Sequence, residues 1–326
     1  MAITVGIPRA LTYYKYHPLW TSVLRELGAD VVVSRESNKA TVNRGVQLGE
    51  NELCVPVKLA LGHAAQLADK CDYLFIPRVV AVEKGSYTCP KFLGLPDMVA
   101  AAGIELPPIL APTVNLRESP RKFKKAVLEV GRVLGASDTA TWRAFKNGME
   151  ALHSYEALLR SGLTPIDIMD GITDAADLPH GDLDGMSIGL VGHPYNLYDR
   201  HVSMNLVRQL RKHGVRAVST EALDPEIIEH EAATLSKELF WTYEREVVGA
   251  AFHWARHGGV DGLIYMLSFA CGPDSLVQVL IEHEVRRNTE LPLMTLVVDE
   301  HSAEAGLATR LEAFLDMLRW RRGEAA

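Results

Sequence analysis

Apolar strand-like segments alternate with amphipathic helix-like segments in two separate parts of this chain. In the first part, a predicted strand at Thr4–Ile7 is followed by a helix around Leu19–Leu27 and a strand at Val31–Ser34. In the second part, the strongly apolar strand Gly262–Ser268 and a last strand at Leu293–Val298 follow helix-like stretches. This alternation predicts an α/β fold with mostly parallel sheets, because a helix usually carries the chain back between parallel strands.

The length of 326 residues exceeds one ordinary core and suits two α/β domains. We predict an N-terminal α/β domain over 1–115, a helical bridge and linker over 116–185, and a C-terminal α/β domain over 186–326. The bridge is inferred from residues 119–162, where apolar positions recur at three- and four-residue spacing. Gly, Pro and Asp residues between 167 and 186 indicate the linker.

The segments around the first two cysteines have their own predicted structure. The sequence predicts a polar loop over 38–51, a helix from Pro56 to about Lys70, a loop rich in Gly, Ser and Tyr that delivers Cys89, and a helix near Pro96–Ala102. A further helix is expected from about Leu235 to His257.

Composition and charge exclude several classes of function. Apolar residues make up 48% and charged residues 23% of the chain, which is typical of a water-soluble globular protein, and the net charge of -7 argues against a nucleic-acid binder. No stretch has the roughly 18 to 20 consecutive apolar residues of a membrane span. The first residues are predicted to form a strand rather than a secretory signal. We therefore expect a cytoplasmic protein without nucleic-acid or membrane partners.

Three of the four cysteines share a local pattern with proline. Cys54-Val-Pro56, Cys89-Pro90 and Cys271-Gly-Pro273 each place proline within two residues of the thiol, ahead of a helix-like segment. Proline costs no hydrogen bond in a first helical turn, and the exposed N–H groups there favour a negatively charged neighbour. Three thiolates held in this way, if they converge, would bind a metal or an iron-sulfur cluster. Cys71 lacks the pattern and is predicted to be structural.

Two interpretations of these three cysteines remain open from spacing alone. Cys54 and Cys89 are 35 residues apart, and Cys271 follows 182 residues later, so nothing resembles a compact zinc ribbon. The cysteines could be small buried hydrophobic residues near turns. The shared proline and the placement on loops after strands favour ligation, since proline stiffens the loop that positions sulfur. With three such thiols, one iron of a cubane would lack a protein sulfur ligand.

Two polar motifs follow predicted strands. His193, within Gly192-His-Pro-Tyr-Asn196, is either an acid/base or hydrogen-bond donor at a site, or the cap of the next helix. Glu300 and His301 follow Asp299 after the last strand, where the alternatives are chemistry and a solvated loop with Asp299 as the cap. We keep His193, Glu300 and His301 as candidate catalytic residues.

Basic side chains near the first strand and Cys54 form a candidate anion-binding set. Arg9 follows the first strand, and Lys58 and His63 lie on the helix after Cys54, so the three could contact a carboxylate, a phosphate or a reduced cluster. Surface solvation is the alternative for each. The sequence contains neither a GxxxxGK[ST] phosphate loop nor GxGxxG after a strand, so any ATP that the chemistry requires would be bound by another protein.

The chain resembles the acyl-CoA dehydratase activase-related proteins, which are kin of the 2-hydroxyacyl-CoA dehydratase component D subunits. The resemblance extends over nearly the whole chain. It is carried by the phrases Gly6-Ile-Pro-Arg-Ala10, Glu52-Leu-Cys-Val-Pro-Val-Lys58, Phe75-Ile-Pro-Arg78, Tyr87-Thr-Cys-Pro90, Gly192-His-Pro-Tyr-Asn196, Cys271-Gly-Pro-Asp274 and Asp299-Glu-His-Ser-Ala-Glu-Ala-Gly306.

This resemblance implies a 4Fe-4S cluster held by Cys54, Cys89 and Cys271 between two Rossmann-like domains. In the dehydratase relatives, a separate ATP-hydrolysing iron-sulfur activase delivers one low-potential electron, and the open iron meets the substrate. An activase in trans is therefore implied here, together with an unknown small-molecule substrate and a homo- or heterodimer. The chain is shorter than a typical dehydratase subunit, and a single cubane is favoured over a double-cubane cluster.

The leading hypothesis is an iron-sulfur protein that accepts low-potential electrons from an ATP-dependent activase for a difficult reduction or radical elimination. It would then be an ATP-activated reductase or a 2-hydroxyacyl-CoA dehydratase-like lyase. The protein would be purified under anaerobic conditions. The alternatives are a non-catalytic electron carrier or assembly subunit, and a zinc-binding or metal-free α/β scaffold.

Overall fold

A computed structural model describes residues 2–178, 185–288 and 290–323. The chain divides into two compact units. Unit 1 comprises Met1–Ala157 with Leu239–Thr242, and unit 2 comprises Leu158–Glu238 with Tyr243–Ala326. The three-part division expected from the sequence stays a prediction.

Unit 1 contains a four-stranded parallel sheet and a separate parallel strand pair. Its strands are β1 (Thr4–Ile7), β2 (Asp30–Val33), β3 (Tyr73–Phe75), β4 (Arg78–Ala81), β5 (Ile109–Leu110) and β6 (Thr113–Asn115). Its helices are α1 (Tyr13–Glu26), α2 (Lys39–Leu48), α3 (Val55–Leu67), α4 (Pro90–Ala100), α5 (Pro120–Val133) and most of α6 (Asp138–Arg160). The main sheet has the order β2-β1-β3-β5, and β4 pairs with β6.

Unit 2 contains a second four-stranded parallel sheet. Its strands are β7 (Ser187–Gly192), β8 (Arg216–Ser219), β9 (Gly262–Ser268) and β10 (Leu293–Val298). Its helices are α7 (Pro165–Met169), α8 (Pro194–Leu197), α9 (Leu206–Lys212), α10 (Pro225–Ala232), most of α11 (Thr242–His257), α12 (Gly272–Asn288) and α13 (Glu304–Arg321). The order is β10-β9-β7-β8.

Both four-stranded sheets have the same order when their strands are numbered within each sheet. The first strand lies between the second and the third, and the fourth pairs with the third. All of these pairs are parallel, which confirms the predicted α/β fold with mostly parallel sheets and is consistent with two Rossmann-like units. In such sheets the chain leaves the first and third strands in opposite directions, so a crevice opens at their carboxyl ends.

Burial explains why β7 and β9 occupy the centre of the unit 2 sheet. Every residue of β7 and of β9 is buried, as expected for parallel strands covered by helices on both faces. The edge strand β10 instead alternates between buried and more exposed residues. The site described below therefore begins where the two most deeply buried strands of unit 2 end.

The predicted polar loop over 38–51 is wrong for most of its length, because Lys39–Leu48 forms α2. The Asn38 side chain caps this helix by accepting hydrogen bonds from the N–H groups of Ala40 and Thr41, at 2.9 and 3.1 Å. Gly45 lets α2 approach α3 closely, since a Cβ atom there would lie 1.9 Å from a carbonyl oxygen of α3. Packing against α3 thus stabilises a helix whose own sequence is polar.

Four further boundaries differ from the sequence predictions. The strand β4 interrupts the predicted loop before Cys89, and α4 begins at Pro90 with Pro96 inside it. The helix expected from Leu235 begins at Thr242. The predicted linker contains the end of α7 and a short 3-10 turn, and its residues 179–184 lie outside the described part.

Among the described helices, none is both long enough and apolar enough to span a bilayer.

Candidate functional site

In unit 1, Cys54 and Cys89 each occupy the N-cap position of a helix. Cys54 precedes α3 and Cys89 precedes α4, with proline in the first turn of both helices. The carbonyl of Cys54 accepts from the N–H of Val57 at 3.0 Å, and that of Cys89 from the N–H of Phe92 at 2.9 Å. Both cysteines are half-buried. The prediction that proline next to these cysteines marks helix starts is confirmed.

In unit 2, Cys271 occupies the equivalent position before α12. It is 9% exposed, and its carbonyl accepts from the N–H of Ser275 at 3.0 Å. The preceding residue, Ala270, has a φ of 62°, a left-handed conformation that costs a residue with a side chain free energy. The turn from the end of β9 therefore holds Cys271 at the helix start at some conformational cost.

Cys71 differs from the other three cysteines in its position and in its hydrogen bonding. It follows α3 rather than preceding a helix, and its Sγ donates to the carbonyl of Leu67 at 3.3 Å. Burial raises the pKa of the Cys71 thiol, and the nearby carboxylates of Asp69 and Asp72 add to this effect. Both features favour the neutral thiol and agree with a structural role. None of the four cysteines forms a disulfide.

The loop that carries Cys89 is fixed by hydrogen bonds within unit 1. The Thr88 hydroxyl donates to the carbonyl of Val79 at 2.6 Å. Tyr87 forms an isolated parallel bridge with Trp241, and the Arg117 guanidinium lies 4.3 Å from the centre of the Tyr87 ring. The two residues that precede Cys89 are thus held in place by hydrogen bonds to the backbone and by a cation–π contact.

Gly192, the last residue of β7, directs His193 into the interior of unit 2. Its φ is 145°, and a Cβ atom there would lie 2.4 Å from the carbonyl oxygen of Met266 on β9. His193 occupies the N-cap position of α8, but its side chain makes no capping hydrogen bond. The capping alternative for the His193 side chain is therefore wrong. The imidazole is 2% exposed and stacks on Tyr195, with ring centroids 5.0 Å apart.

Two buried carboxylates lie next to His193. Its Nε2 is 3.1 Å from Oδ1 of Asp274 on α12 and 3.7 Å from Oε1 of Glu244 on α11. The Tyr265 hydroxyl also contacts Oδ1 of Asp274, at 3.2 Å. Asp274 is fully buried and Glu244 is 2% exposed. A histidine and two carboxylates therefore share one water-poor pocket.

The charges of this pocket shift the pKa values of its members. Burial alone would lower the pKa of His193, but the carboxylates of Asp274 and Glu244 outweigh it and raise that pKa to about 9. Burial raises the pKa of Glu244 to about 7, although the His193 charge opposes the shift. Burial and the Asp274 carboxylate raise the pKa of Tyr265, which stays a neutral donor.

Several polar atoms in this pocket lack a hydrogen-bond partner among the described residues. They are Nε2 of His193, Oδ2 of Asp274 and Oε2 of Glu244. The 3.1 Å separation of His193 and Asp274 fits an ion pair, whereas the angles do not fit a hydrogen bond. Leaving a buried polar group unsatisfied costs about 1 to 3 kcal/mol. A pocket with three such atoms is therefore suited to receive a ligand.

Among its described residues, unit 2 contains two groups of side chains with the composition of a metal site. In the buried group, one ligand atom each from His193, Cys271 and Asp274 lies within 4.8 Å of the others. The second group, on α10 and α11, consists of Glu231, His253 and His257, under the same distance limit. In the second group Glu231 already bonds to His257 at 2.8 Å and to Arg256 at 2.9 Å.

The corresponding sheet edge of unit 1 is apolar. A cavity of about 40 Å³ lies at the carboxyl ends of β1 and β3, and its aromatic wall includes Tyr13, Trp20 and Phe75. Burial lowers the pKa of the neighbouring His17 to about 4. The positive charge of Arg9 also lowers this pKa, whereas the hydrogen bond to the Tyr13 carbonyl acts in the opposite direction. The cavity is of the order of a water molecule in size.

The predicted anion-binding residues lie in different environments. Arg9 is partly exposed and its Nη1 lies 3.6 Å from Oε1 of Glu36. Lys58 is 2% exposed and its Nζ donates to the carbonyl of Asn51 at 3.0 Å, so the alternative of a solvated lysine is wrong. His63 is fully buried against Ser37, at 2.9 Å, and burial lowers its pKa to about 3 with help from the Arg9 charge.

Glu300 and His301 follow β10, the strand at the edge of the unit 2 sheet. His301 is exposed and Glu300 is half-buried. Asp299 accepts hydrogen bonds from the N–H of His301 and the hydroxyl of Ser302, both at 2.9 Å. The N-cap residue of α13 is Ala303, which has no side-chain capping hydrogen bond, so the prediction that Asp299 caps this helix is wrong. The catalytic role of Glu300 and His301 stays a prediction.

Sequence reasoning missed Glu244 and Tyr265, and gave no separate role to Asp274. Asp274 stands in the phrase Cys271-Gly-Pro-Asp274, so its position three residues after the cysteine was the available signal. Glu244 lies in an amphipathic helix where glutamate normally faces water, and no sequence signal marks it as buried.

The chain matches the model of a known protein family. A family profile described as "CoA enzyme activase uncharacterised domain (DUF2229)" matches residues 4–223, which is more than half of the chain. The chain belongs to this family. The match supports the resemblance to acyl-CoA dehydratase activase-related proteins. No curated protein matches the chain.

The matched region of this DUF2229 protein contains Cys54, Cys89 and His193 but ends before the other members of the buried pocket. Glu244, Cys271 and Asp274 follow it in sequence. The carboxylates that contact His193 therefore lie in the remaining third of the chain, after the matched residues.

Proposed function

We propose that this DUF2229 protein is an iron-sulfur protein that holds a 4Fe-4S cluster through Cys54, Cys89 and Cys271. It would accept low-potential electrons from an ATP-dependent iron-sulfur activase in trans, for a difficult reduction or a radical elimination. The observation that carries the proposal is the shared position of the three thiols. Each stands immediately before a helix, whereas Cys71 follows one and donates to a backbone carbonyl.

The donor set is chemically suited to such a cluster. Iron-sulfur clusters are held by cysteine thiolates, and the partial positive charge at a helix N-terminus favours an anionic sulfur. The cluster, when bound, would supply one-electron chemistry at low potential. The turns at the helix starts would fix the positions of the three sulfurs. The burial of Cys271 would limit the access of water to its sulfur.

The remaining candidates would act on the substrate or on charge near the cluster. Arg9, which is partly exposed, is suited to an anionic group such as a carboxylate or phosphate. Lys58 is less suited to bind a ligand directly, because its ammonium already donates to the Asn51 carbonyl. His193 is buried between two carboxylates and would hold a proton next to Cys271 rather than exchange it with bulk water.

A second candidate is suggested by the family description, which names an activase. In that case the chain itself would hydrolyse ATP. The sequence argues against this candidate, because it has neither a phosphate loop nor a glycine-rich turn after a strand. A non-catalytic electron carrier and a zinc-binding or metal-free scaffold remain alternatives within the same fold.

Anaerobic EPR spectroscopy separates these candidates. The purified protein is incubated with MgATP and a 2-hydroxyacyl-CoA dehydratase activase that dithionite has reduced, and with either component omitted, and the EPR signal of the reduced activase alone is subtracted. We expect a reduced-cluster signal only in the complete mixture, retained in Cys71→Ala and lost in Cys54→Ala. ATP hydrolysis by the chain alone would contradict the proposal in favour of the activase, and a chain that never gives a signal in the complete mixture would also contradict it.

A further inference from the structure

The buried pocket of unit 2 contains a complete set of ligands for a single metal ion. His193, Cys271 and Asp274 offer an imidazole, a thiol and a carboxylate whose ligand atoms lie within 4.8 Å of one another. Two ligand atoms on one zinc ion are separated by at most the sum of their bond lengths, about 4.3 Å. Small side-chain movements would therefore bring all three onto one ion.

The unsatisfied atoms of the pocket point to the same conclusion. Nε2 of His193 and Oδ2 of Asp274 are buried and have no hydrogen-bond partner among the described residues. Glu244 adds a third such atom, Oε2, next to them. A bound cation would satisfy these atoms together, whereas no described side chain does so.

Charge balance favours a divalent ion. A thiolate at Cys271 and a carboxylate at Asp274 carry two negative charges, and a neutral His193 adds none, so a divalent cation leaves the buried set neutral. The Tyr265 hydroxyl, 3.2 Å from Oδ1 of Asp274, would orient the carboxylate as outer partners of metal ligands commonly do. Thiolate and imidazole ligands select zinc-like transition metals over magnesium or calcium.

We propose that His193, Cys271 and Asp274 bind one divalent transition-metal ion of the zinc, cobalt or ferrous iron type in unit 2, with Glu244 beside it. This site needs no residue of unit 1. It shares Cys271 with the proposed cluster, so the single ion and the cluster are alternative occupants of that sulfur. The ion would enter from the side of Cys271, which at 9% exposure is the least buried of the three ligands.

Cobalt binding tests the site directly. The full-length protein is purified anaerobically, stripped of metal and titrated with Co²⁺, in a His253→Ala background that removes the separate Glu231, His253 and His257 group. With Cys54→Ser and Cys89→Ser added, we expect a single cobalt ion with thiolate-to-cobalt absorption. Zinc should displace it and abolish the absorption.

Matched variants assign the ligands. In the same background, Cys271→Ser should remove the thiolate absorption, and His193→Gln should weaken cobalt binding by about 100-fold or more, beyond the loss typical of an outer partner. Asp274→Asn keeps an oxygen that can accept from Tyr265, so this variant should fold while losing affinity, as checked by circular dichroism. Cys71→Ser should leave binding unchanged.

Three results would each overturn the inference: no thiolate-to-cobalt absorption in the chain that lacks Cys54 and Cys89, absorption that persists after Cys271→Ser, and an affinity for cobalt that Asp274→Asn leaves unchanged. The outcome is distinguishable from that of the proposed function. Cobalt binding by a chain that never assembles a cluster would support this site alone, and cluster assembly without cobalt binding would support the cluster alone.

Discussion

The two units have the same sheet order but differ in what they bury at the carboxyl edge of that sheet. In unit 1 the edge is aromatic, and the half-buried His17 and the buried His63 have pKa values lowered to about 4 and about 3. In unit 2 the edge is charged, and the pKa of His193 is raised to about 9. The same topology therefore supports opposite charge states of a buried histidine.

Neighbouring charges explain the difference. Burial disfavours the protonated form in both units, and in unit 1 the positive charge of Arg9 acts in the same direction. In unit 2 the carboxylates of Asp274 and Glu244 outweigh burial. The comparison shows that the fold provides the crevice, while side chains from the surrounding helices decide whether the crevice holds charge.

Removing a carboxylate from the unit 2 pocket should have the largest effect on stability. Asp274→Ala leaves His193 and Glu244 buried with an incomplete set of charges, which we expect to lower the free energy of unfolding by about 3 to 5 kcal/mol. Asp316→Ala is the control, because Asp316 forms an exposed pair with Arg319, and it should cost about 1 kcal/mol or less. Urea unfolding at neutral pH measures both. Equal losses would mean that the buried charges contribute nothing specific.

Acid should weaken unit 1 through its neutral histidines. The pKa of His63 falls from 6.5 in the unfolded chain to about 3 in the folded one, so the unfolded state takes up the proton first as the pH drops. The stability that neutral His63 contributes is present above pH 6.5 and is lost toward pH 3. Between pH 7.5 and 4.5 the loss is about 3 kcal/mol.

Urea unfolding at several pH values, compared between the wild type and His63→Gln, measures this loss. The variant should lose less stability over that interval, while His17 still contributes to its pH dependence. An unchanged slope in His63→Gln would show that His63 is not buried in its neutral form.

Rising pH should destabilise unit 2 through Glu244, and the loss in free energy of unfolding should be smaller than the loss that acid causes through His63. Its pKa is raised from 4.5 to about 7, so the folded state keeps its proton longer than the unfolded state. The stability contributed by the neutral carboxyl is present below pH 4.5 and is lost as the pH rises through 7. Glu244→Gln should reduce this loss by about 1 to 2 kcal/mol between pH 5 and 7, measured in the same way. A steeper slope in the variant would contradict the assignment.

The parts of the fold that could be predicted from the sequence are those marked by local patterns. The apolar strands ending at Ile7 and Ser268 were located because continuous burial leaves a run of apolar residues, and proline marked the helix starts after Cys54 and Cys89. Local patterns report secondary structure well when the side chains that fix it are close in sequence.

The parts that could not be predicted depend on residues distant in sequence. α2 was missed because its polar sequence is stabilised by the approach of α3 at Gly45, which the sequence does not display. Glu244 was missed for the same reason, since its buried carboxylate lies 3.7 Å from His193, which is 51 residues away in the sequence. Lys58 was a candidate for anion binding with surface solvation as the alternative, and its burial beside the Asn51 carbonyl could not be predicted from its own sequence pattern.

Iron and sulfide analysis of anaerobically purified protein tests the central claim most directly, with Cys54→Ala, Cys89→Ala, Cys271→Ala and Cys71→Ala measured alongside the wild type. We predict a brown wild-type protein with about four irons and as much sulfide per chain. The three helix-start variants should lose iron and Cys71→Ala should retain it. A colourless wild-type protein, or equal losses in Cys71→Ala and Cys271→Ala, would contradict the account.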